Sequence, residues 1–334
     1  MSVVSVLVIT YNSSQTIWDC LTSLTGQTFR DFEVILVDNG SKDPTARLVD
    51  SIKPHLNFPL TALYLEENLG FAGGNNLALN HISEDSRYIA LLNPDARADS
   101  LWLQSLKKAM EDDAGVGICA SKILTWDAKH IDSAGDIMLA TFRGFKREAD
   151  DPSLYERREN IFGACAGAAM YRKEMIEQIG FFDEDFFIQC EDTDLNFRAQ
   201  LGGWKVLYEP EAVAFHEVGH SIGKVSDLVV YYSQRNTEFV RVKNVPASVL
   251  VTHLPQIVLG CIADFLYFGI RHMKWRPFIK AKIDALRMLP RMLKKRKDVM
   301  EKIKKVDDAY IKSLITPLFK DRRFLAIKLK RLSS

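Results

Sequence analysis

Three runs of the chain are apolar at nearly every position rather than at alternate ones. VSVLVIT (residues 4–10), FEVILVD (32–38) and YIALLN (88–93) are short, rich in Val, Ile and Leu, and closed by turn-forming residues. Strands covered on both faces read this way, because neither face meets water. Between them lie TIWDCLTSLTGQ (16–27) and LWLQSLKKAMED (101–112), whose apolar positions recur with helical period. Strand alternating with helix predicts an α/β domain built on a mostly parallel central sheet. No internal repeat or low-complexity tract breaks the pattern.

Ligands of such sheets sit beyond the carboxyl ends of the strands. The chain places polar residues there three times: Thr10-Tyr11-Asn12, then Asp38-Asn39-Gly40-Ser41 with Asp43, then Asn93-Pro94-Asp95. One such end is ordinary turn chemistry; three on a common rim predict a site. Pro94 has no N–H, so the ladder stops and Asp95 projects from the rim on a stiffened backbone. A carboxylate in that place suits a divalent cation, which in turn binds a diphosphate; the alternative is an Asx turn. In ENLGFAGGNN (67–76), Gly70, Gly73 and Gly74 permit close backbone approach, but the spacing is not the GxGxxG dinucleotide fingerprint. NLALN reads as a helix start, which would put Asn75 or Asn76 where an anion is favoured.

Two later segments carry chemistry. FFDEDFFIQCEDTDLNFRAQLGGW (181–204) holds six carboxylates, of which Glu191, Asp192 and Asp194 crowd a predicted helix start. Acidic residues are common in a first helical turn, but crowding also raises one carboxyl pKa, as a general base needs. FHEVGHSIGK (215–224) matches HExxH through His216 and His220. It follows the strand-like AVAF, contains Gly219 and continues as SIGK, so a zinc-protease helix is disfavoured.

Composition adds an asymmetry. The 334 residues are 47% hydrophobic and 26% charged, an ordinary globular balance for one large domain with an appendage or for two domains. Five cysteines without a CxxC pair argue against a disulfide framework or structural zinc and predict a reducing compartment. MSVVSVLVIT has neither a basic n-region nor a cleavage site, so no leader is expected. The net charge of +1 hides an acidic body, with 23 Lys/Arg against 37 Asp/Glu in residues 1–270, and a basic tail, with 21 against 6 in 271–334. A tail of that sign meets an anionic membrane surface or nucleic acid, unless it is simply a solvated helical face. VLVTHLPQIVLGCIA (249–263) falls short of the ~20 apolar residues that span a bilayer. Residues 271–305 interleave 14 Lys/Arg with Met273, Trp275, Phe278, Ile283 and Leu286, as helices lying in a membrane interface do.

Taken in order, VLVITYN, VILVDNGSKD, NLGFAGGNN, LLNPDA, GAAMYRKEMIEQIGFFDEDFF, EDTDLNFRAQLGGWKV, AFHEVGHS and YYSQRN resemble glycosyltransferase family 2, with its GT-A fold, over residues 3–240. LLNPDA, EDTDL and the basic tail are most similar to rhamnosyltransferase-like members that build cell-surface polysaccharides. The resemblance implies a GT-A catalytic domain at 1–245 and a helical, basic, membrane-associating region at 246–334. It implies an inverting transfer of a sugar, rhamnose among the candidates, from a dTDP or UDP donor to a glycan hydroxyl, with a polyprenyl-linked acceptor.

By the same resemblance, Tyr11, Asn12 and Asp38 would hold the base, with Thr10, Gly40, Ser41, Gly70, Asn75, Asn76, Asn93 and Arg235 also on the donor side. Asp95 takes the metal place of the DxD motif, with Asn93 replacing its first Asp, and His216 completes a Mn²⁺ or Mg²⁺ site. Asp192, in the Glu191-Asp192 pair, matches the catalytic base, and Arg235-Asn236 a late motif that touches diphosphate or acceptor. Segment 127–160, with its DSAGD, reads as an acceptor-side loop. The expected location is cytoplasmic, on the inner face of the cell membrane, with no nucleic-acid partner. Two other readings stay open: a sugar-nucleotide nucleotidyltransferase, though TYNSSQT lacks a basic glycine-rich loop, and a non-catalytic membrane-binding partner.

Overall fold

The computed structural model describes residues 2–217 and 225–317. His220, and with it the second histidine of the HExxH pattern, lies outside the described residues, as does the end of the basic tail. The first half of the chain lays down β1 (Val4–Thr10), β2 (Phe32–Asp38), β3 (Leu60–Tyr64) and β4 (Tyr88–Leu92). They run parallel in the order β3-β2-β1-β4. The three apolar runs are thus β1, β2 and β4. β3 escaped the pattern because LTALY is a half-exposed strand at the sheet edge.

The short β5 (Ala96–Ala98), the long β6 (Val116–Thr125), β7 (Ile131–Ser133), and the hairpin β8 (Asp136–Leu139) and β9 (Gly144–Lys146) follow. Then come β10 (Glu159–Asn160), β11 (Ala168–Arg172) and β12 (Lys205–His216). β11 inserts antiparallel between β4 and β6, and β12 extends the sheet parallel to β6. The sheet is therefore mixed, with the parallel direction dominant.

Side-chain alternation along each strand feeds two cores. Val4, Val6 and Val8 face α1 (Ile17–Thr25), α2 (Thr45–Ile52) and α4 (Trp102–Asp112), whereas Leu7, Ile9, Ile35 and Val37 face α3 (Gly70–Leu79), α5 (Lys173–Ile179) and α6 (Glu191–Leu201). At roughly 25 cal/mol per Å², such two-sided burial holds the strand ends in fixed register. A third core joins the β8/β9 hairpin and α6 to α7 (Asp227–Asn244) and to the C-terminal helices.

The C-terminal region comprises α8 (Ala247–Thr252), α9 (Leu254–Asp264), α10 (Trp275–Arg287), α11 (Leu289–Asp298) and α12 (Asp308–Ser313). α9 runs on through the wider turns of Phe265–Arg271, giving an 18-residue stretch that is apolar and long enough to cross a membrane by length and composition. That exceeds the apolar run read from 249–263. The inner side of this stretch is pinned to the body, because Asp264 pairs with Arg143 at 2.9 Å.

Candidate active site

The strand ends build the first wall. Thr10 donates to Asp38 Oδ1 at 3.0 Å, and Ser41 donates to the same oxygen. Asn12, in a left-handed conformation, receives Lys42 N–H on its side chain and donates its own N–H to Ser41 at 2.8 Å. Gly40 has a φ of +75°, and a Cβ there would stand 2.9 Å from the Glu66 carbonyl oxygen. The loops after β1, β2 and β3 are thus laced into one rigid rim, and Tyr11, 49% exposed, stands open on it. Asp38 is buried beneath, accepting from its neighbours.

One donor-side expectation, the helix start, needs correction, and three donor-side residues have structural partners. The helix expected to start at NLALN begins at Gly70, so Asn75 and Asn76 lie in its middle rather than at an anion-attracting end. Asn76 is bound to both the N–H and the carbonyl of Phe182, and Asn75 donates back to Phe71. Gly70 is required by packing: it has a φ of +75°, and the carbonyl and ring of Phe187 fill the space a Cβ would take. Arg235 points its guanidinium at the Asp185 carbonyl, 2.6 Å away, and at that of Phe186, between the rings of Tyr231, Tyr232 and Phe239. Its neighbour Asn236 donates to the carbonyls of Phe186, Ile188 and Gln189. Together they clamp a loop whose Phe187, Gln189 and Cys190 all have positive φ. Strain of this kind persists only where the surroundings impose it, and here it sets the entry of α6.

β4 ends as expected. Asn93 donates its N–H to the Gly167 carbonyl at 2.9 Å, and Asp95 follows, buried. His216, the last residue of β12, pairs across β5 with Ala96 and so reaches Asp95. Its Nε2 lies 3.3 Å from Asp95 Oδ1 and its Nδ1 3.1 Å from Asp132 Oδ2. Burial disfavours the imidazolium, but hydrogen bonds to Asp132 and Asp95 prevail and lift its pKa to about 9. Burial likewise works against the Asp132 carboxylate, yet His216 and Lys146 hold its pKa down at about 2. Lys146 meets Asp132 at 2.8 Å.

The opposite end of this chain of charges is the start of α6. Glu191 is buried and Asp192 half-buried, and their enclosure raises both pKa values, that of Glu191 to about 8. Asp192 accepts from Thr193 N–H at 2.6 Å. Asp194 does something else. It is fully buried among Arg198 at 2.9 Å, Lys243 at 2.8 Å and Asn244 at 2.8 Å, a structural knot. Arg198 ties that knot to the carbonyls of Ile179, Gly180 and Phe181. Sequence reasoning missed Asp132, Lys146 and Asp136. DSAGD marked two of them, but only β6 and the hairpin show that they face the site.

Three polar groupings thus stand at the strand and helix ends: the Thr10–Asp38–Ser41 rim, the carboxylate–imidazole pair at Asp95 and His216, and the carboxylates at the head of α6. Among the described residues no three His, Cys, Asp or Glu side chains are grouped as a ready metal centre. Even so, the donor set fits a hard divalent ion that takes its remaining ligands from phosphate and water. Asp95 would offer oxygen, and His216 would offer Nε2 once that nitrogen gives up its proton, with Asp132 orienting the ring through Nδ1 as supporting carboxylates do for metal-binding histidines.

Such a fold, with polar residues gathered at the carboxyl ends of its parallel strands, defines an α/β protein of the GT-A architecture. The family model described as "Glycosyl transferase family 2" matches residues 5–180, and the chain belongs to that family. It is 23% identical over 278 residues to the poly-beta-1,6-N-acetyl-D-glucosamine synthase of Staphylococcus aureus, spanning 80% of this chain and 64% of that one. It is also 26% identical over 250 residues to an N-acetylglucosaminyl-diphospho-decaprenol L-rhamnosyltransferase of Mycobacterium tuberculosis, covering 66% and 78% of the two chains. Among solved structures it resembles S. aureus TarS 1-349 in complex with UDP-GlcNAc, with a TM-score of 0.56, 19% identity and coverage of 94% and 92%. It further resembles the mannosyltransferase PcManGT from Pyrobaculum calidifontis in complex with GDP-Man and Mn²⁺, with a TM-score of 0.50, 17% identity and coverage of 99% and 79%. These structural likenesses establish the GT-A fold.

Proposed function

We propose that the chain is an inverting glycosyltransferase that moves a sugar from a nucleoside diphosphate to a hydroxyl of a growing cell-surface glycan. The single observation that carries this reading is the run of ion pairs from Asp95, at the end of β4, through His216 and Asp132 to Lys146, whose charge is felt by Asp192 at the head of α6. One acid stands where the leaving diphosphate would be held; the other stands where an acceptor would arrive.

In the step, the acceptor oxygen bonds to the anomeric carbon as the bond to the diphosphate breaks and its electron pair leaves with the phosphate. The acceptor proton goes to the Asp192 carboxylate, whose raised pKa makes it a competent base. Thr10, Tyr11, Asn12, Asp38 and Ser41 position the nucleotide. A divalent cation held by Asp95 and His216 would neutralise charge gathering on the leaving group. The likeness to a rhamnosyltransferase favours dTDP-rhamnose among donors and a polyprenyl-diphosphate-linked acceptor, whereas relatives handling UDP-GlcNAc and GDP-Man keep those donors in the panel.

The catalytic unit runs through residue 245 and the helices beyond it rest on the membrane. Leu254, Val258, Leu259, Ile262, Leu266 and Ile270 face outward, whereas Asp264 is bound to Arg143 on the inner side. A helix apolar on one side and ion-paired to its own protein on the other suits an interfacial seat better than a span. The donor test is melting temperature with Mn²⁺ plus dTDP-rhamnose, UDP-GlcNAc or GDP-mannose. One donor should raise it in a cation-dependent way; no response to any sugar nucleotide, with pyrophosphate released from nucleoside triphosphate, would favour a nucleotidyltransferase.

A further inference from the structure

The β8/β9 hairpin brings a third carboxyl to the head of α6. Asp136 opens β8 and pairs in register with Lys146 of β9. Its N–H donates to the Gly163 carbonyl at 2.7 Å, and Gly163 in turn packs against Asn196 of α6. At the hairpin's other end Gly144 lies against Thr193, where a Cβ would come within 2.7 Å of the hydroxyl. The hairpin is thereby fastened to the first two turns of α6 at both ends, which brings Asp136 within range of the Asp192 charge.

Asp136 is buried, and its Oδ1 has no hydrogen-bond partner among the described residues. A buried acceptor left bare destabilises a fold. The arrangement is explained if the group serves the site instead of the fold.

Resting on the reading of the site given above, we propose that Asp136 is a positioning residue for Asp192. Held as a neutral acid, it leaves a single negative charge on the carboxyl pair and fixes which Asp192 oxygen faces the acceptor hydroxyl. The charged neighbours support this assignment. Burial first, then the charge of Asp192 and that of Asp132, push Asp136 up to about 8, against the opposing pull of Lys146 and Arg147. Cys165 is driven up to about 12 by burial, and Tyr171 is likewise held protonated, so neither adds charge. Two neighbouring carboxyls cannot both ionise without penalty, and Asp136, the more deeply buried and with Oδ1 lacking a donor, keeps the proton.

The experiment compares full-length wild type with Asp136→Asn and Asp136→Ala, following nucleoside diphosphate release from the best donor with water as acceptor, across pH 6 to 10. Asp136→Asn keeps the neutral shape. It should hold kcat at pH 7 within about threefold and erase an inflection near pH 8, whereas Asp136→Ala should lose about 100-fold in kcat at unchanged donor KM. Infrared difference spectra of wild type against Asp136→Asn at pH 7 should show the loss of one protonated carboxyl, a readout independent of turnover. Asn and Ala variants equal to each other in rate, or a carboxylate band in place of the acid, would overturn the assignment. If wild type itself releases no diphosphate from any sugar nucleotide, the transferase reading fails instead, and the infrared result still decides the protonation of Asp136.

Discussion

The sequence EDTD at the head of α6 contains two aspartates, Asp192 and Asp194, that look alike and should behave oppositely when neutralised. Asp194 is fully buried and accepts from Arg198, Lys243 and Asn244 at 2.8–2.9 Å. Burial opposes its charge, but Lys243 and Arg198 prevail and hold its pKa below the ordinary value. Breaking a buried pair by removing one partner costs about 3–5 kcal/mol.

For Asp194→Asn the lower end applies. Lys243 retains Asp183 at 2.7 Å, and Arg198 retains three backbone carbonyls. We therefore expect a loss of about 3 kcal/mol from urea unfolding at pH 7. Asp192→Asn removes a charge that burial disfavours, so stability should be unchanged or higher. A fall of less than about 1 kcal/mol for Asp194→Asn, or an equal fall for both variants, would refute this division of roles.

Other expectations follow from the same geometry. Arg235→Met should lower kcat about tenfold with the donor KM unchanged, because Arg235 props the α6 entry loop; a rise in KM alone would return it to the diphosphate. His216, lifted to about 9, contributes stability that is fully present below its unfolded pKa near 6.5 and lost as pH rises through 9. Asp132, depressed to about 2, contributes stability present above about 3.8 and lost as pH falls toward 2, so thermal melts in metal-free buffer should decline at both ends. Full-length protein should sediment with phosphatidylglycerol vesicles, less so at high salt, and Leu259→Asp with Ile262→Asp should abolish this; undiminished binding would place the contact elsewhere.

What the sequence disclosed and what it withheld divide along a physical line. β1, β2 and β4 were legible because strands buried on both faces carry no polar alternation, and their ends showed Asp38 and Asp95 directly. The edge strand β3 and the antiparallel insertion of β11 depend on tertiary pairing and leave no local signature. Asp95 and His216 meet only because β12 pairs with β5, which no spacing in the chain announces. Arg235 and Asn76 looked like ligand contacts because a polar residue in a motif can bind either substrate or backbone; the structure gives both to backbone carbonyls. Asp132 and Asp136 stand in DSAGD, yet only the folded strands show that one meets His216 and the other pairs in register with Lys146.

The central claim is that Asp192 takes the acceptor's proton in a crevice whose donor side it does not touch. Transfer of radiolabelled sugar by Asp192→Asn, measured beside donor affinity, tests it directly. Donor affinity should match wild type while turnover drops by about 10² to 10⁴; Asp192→Asn turning over at the wild-type rate would contradict the account.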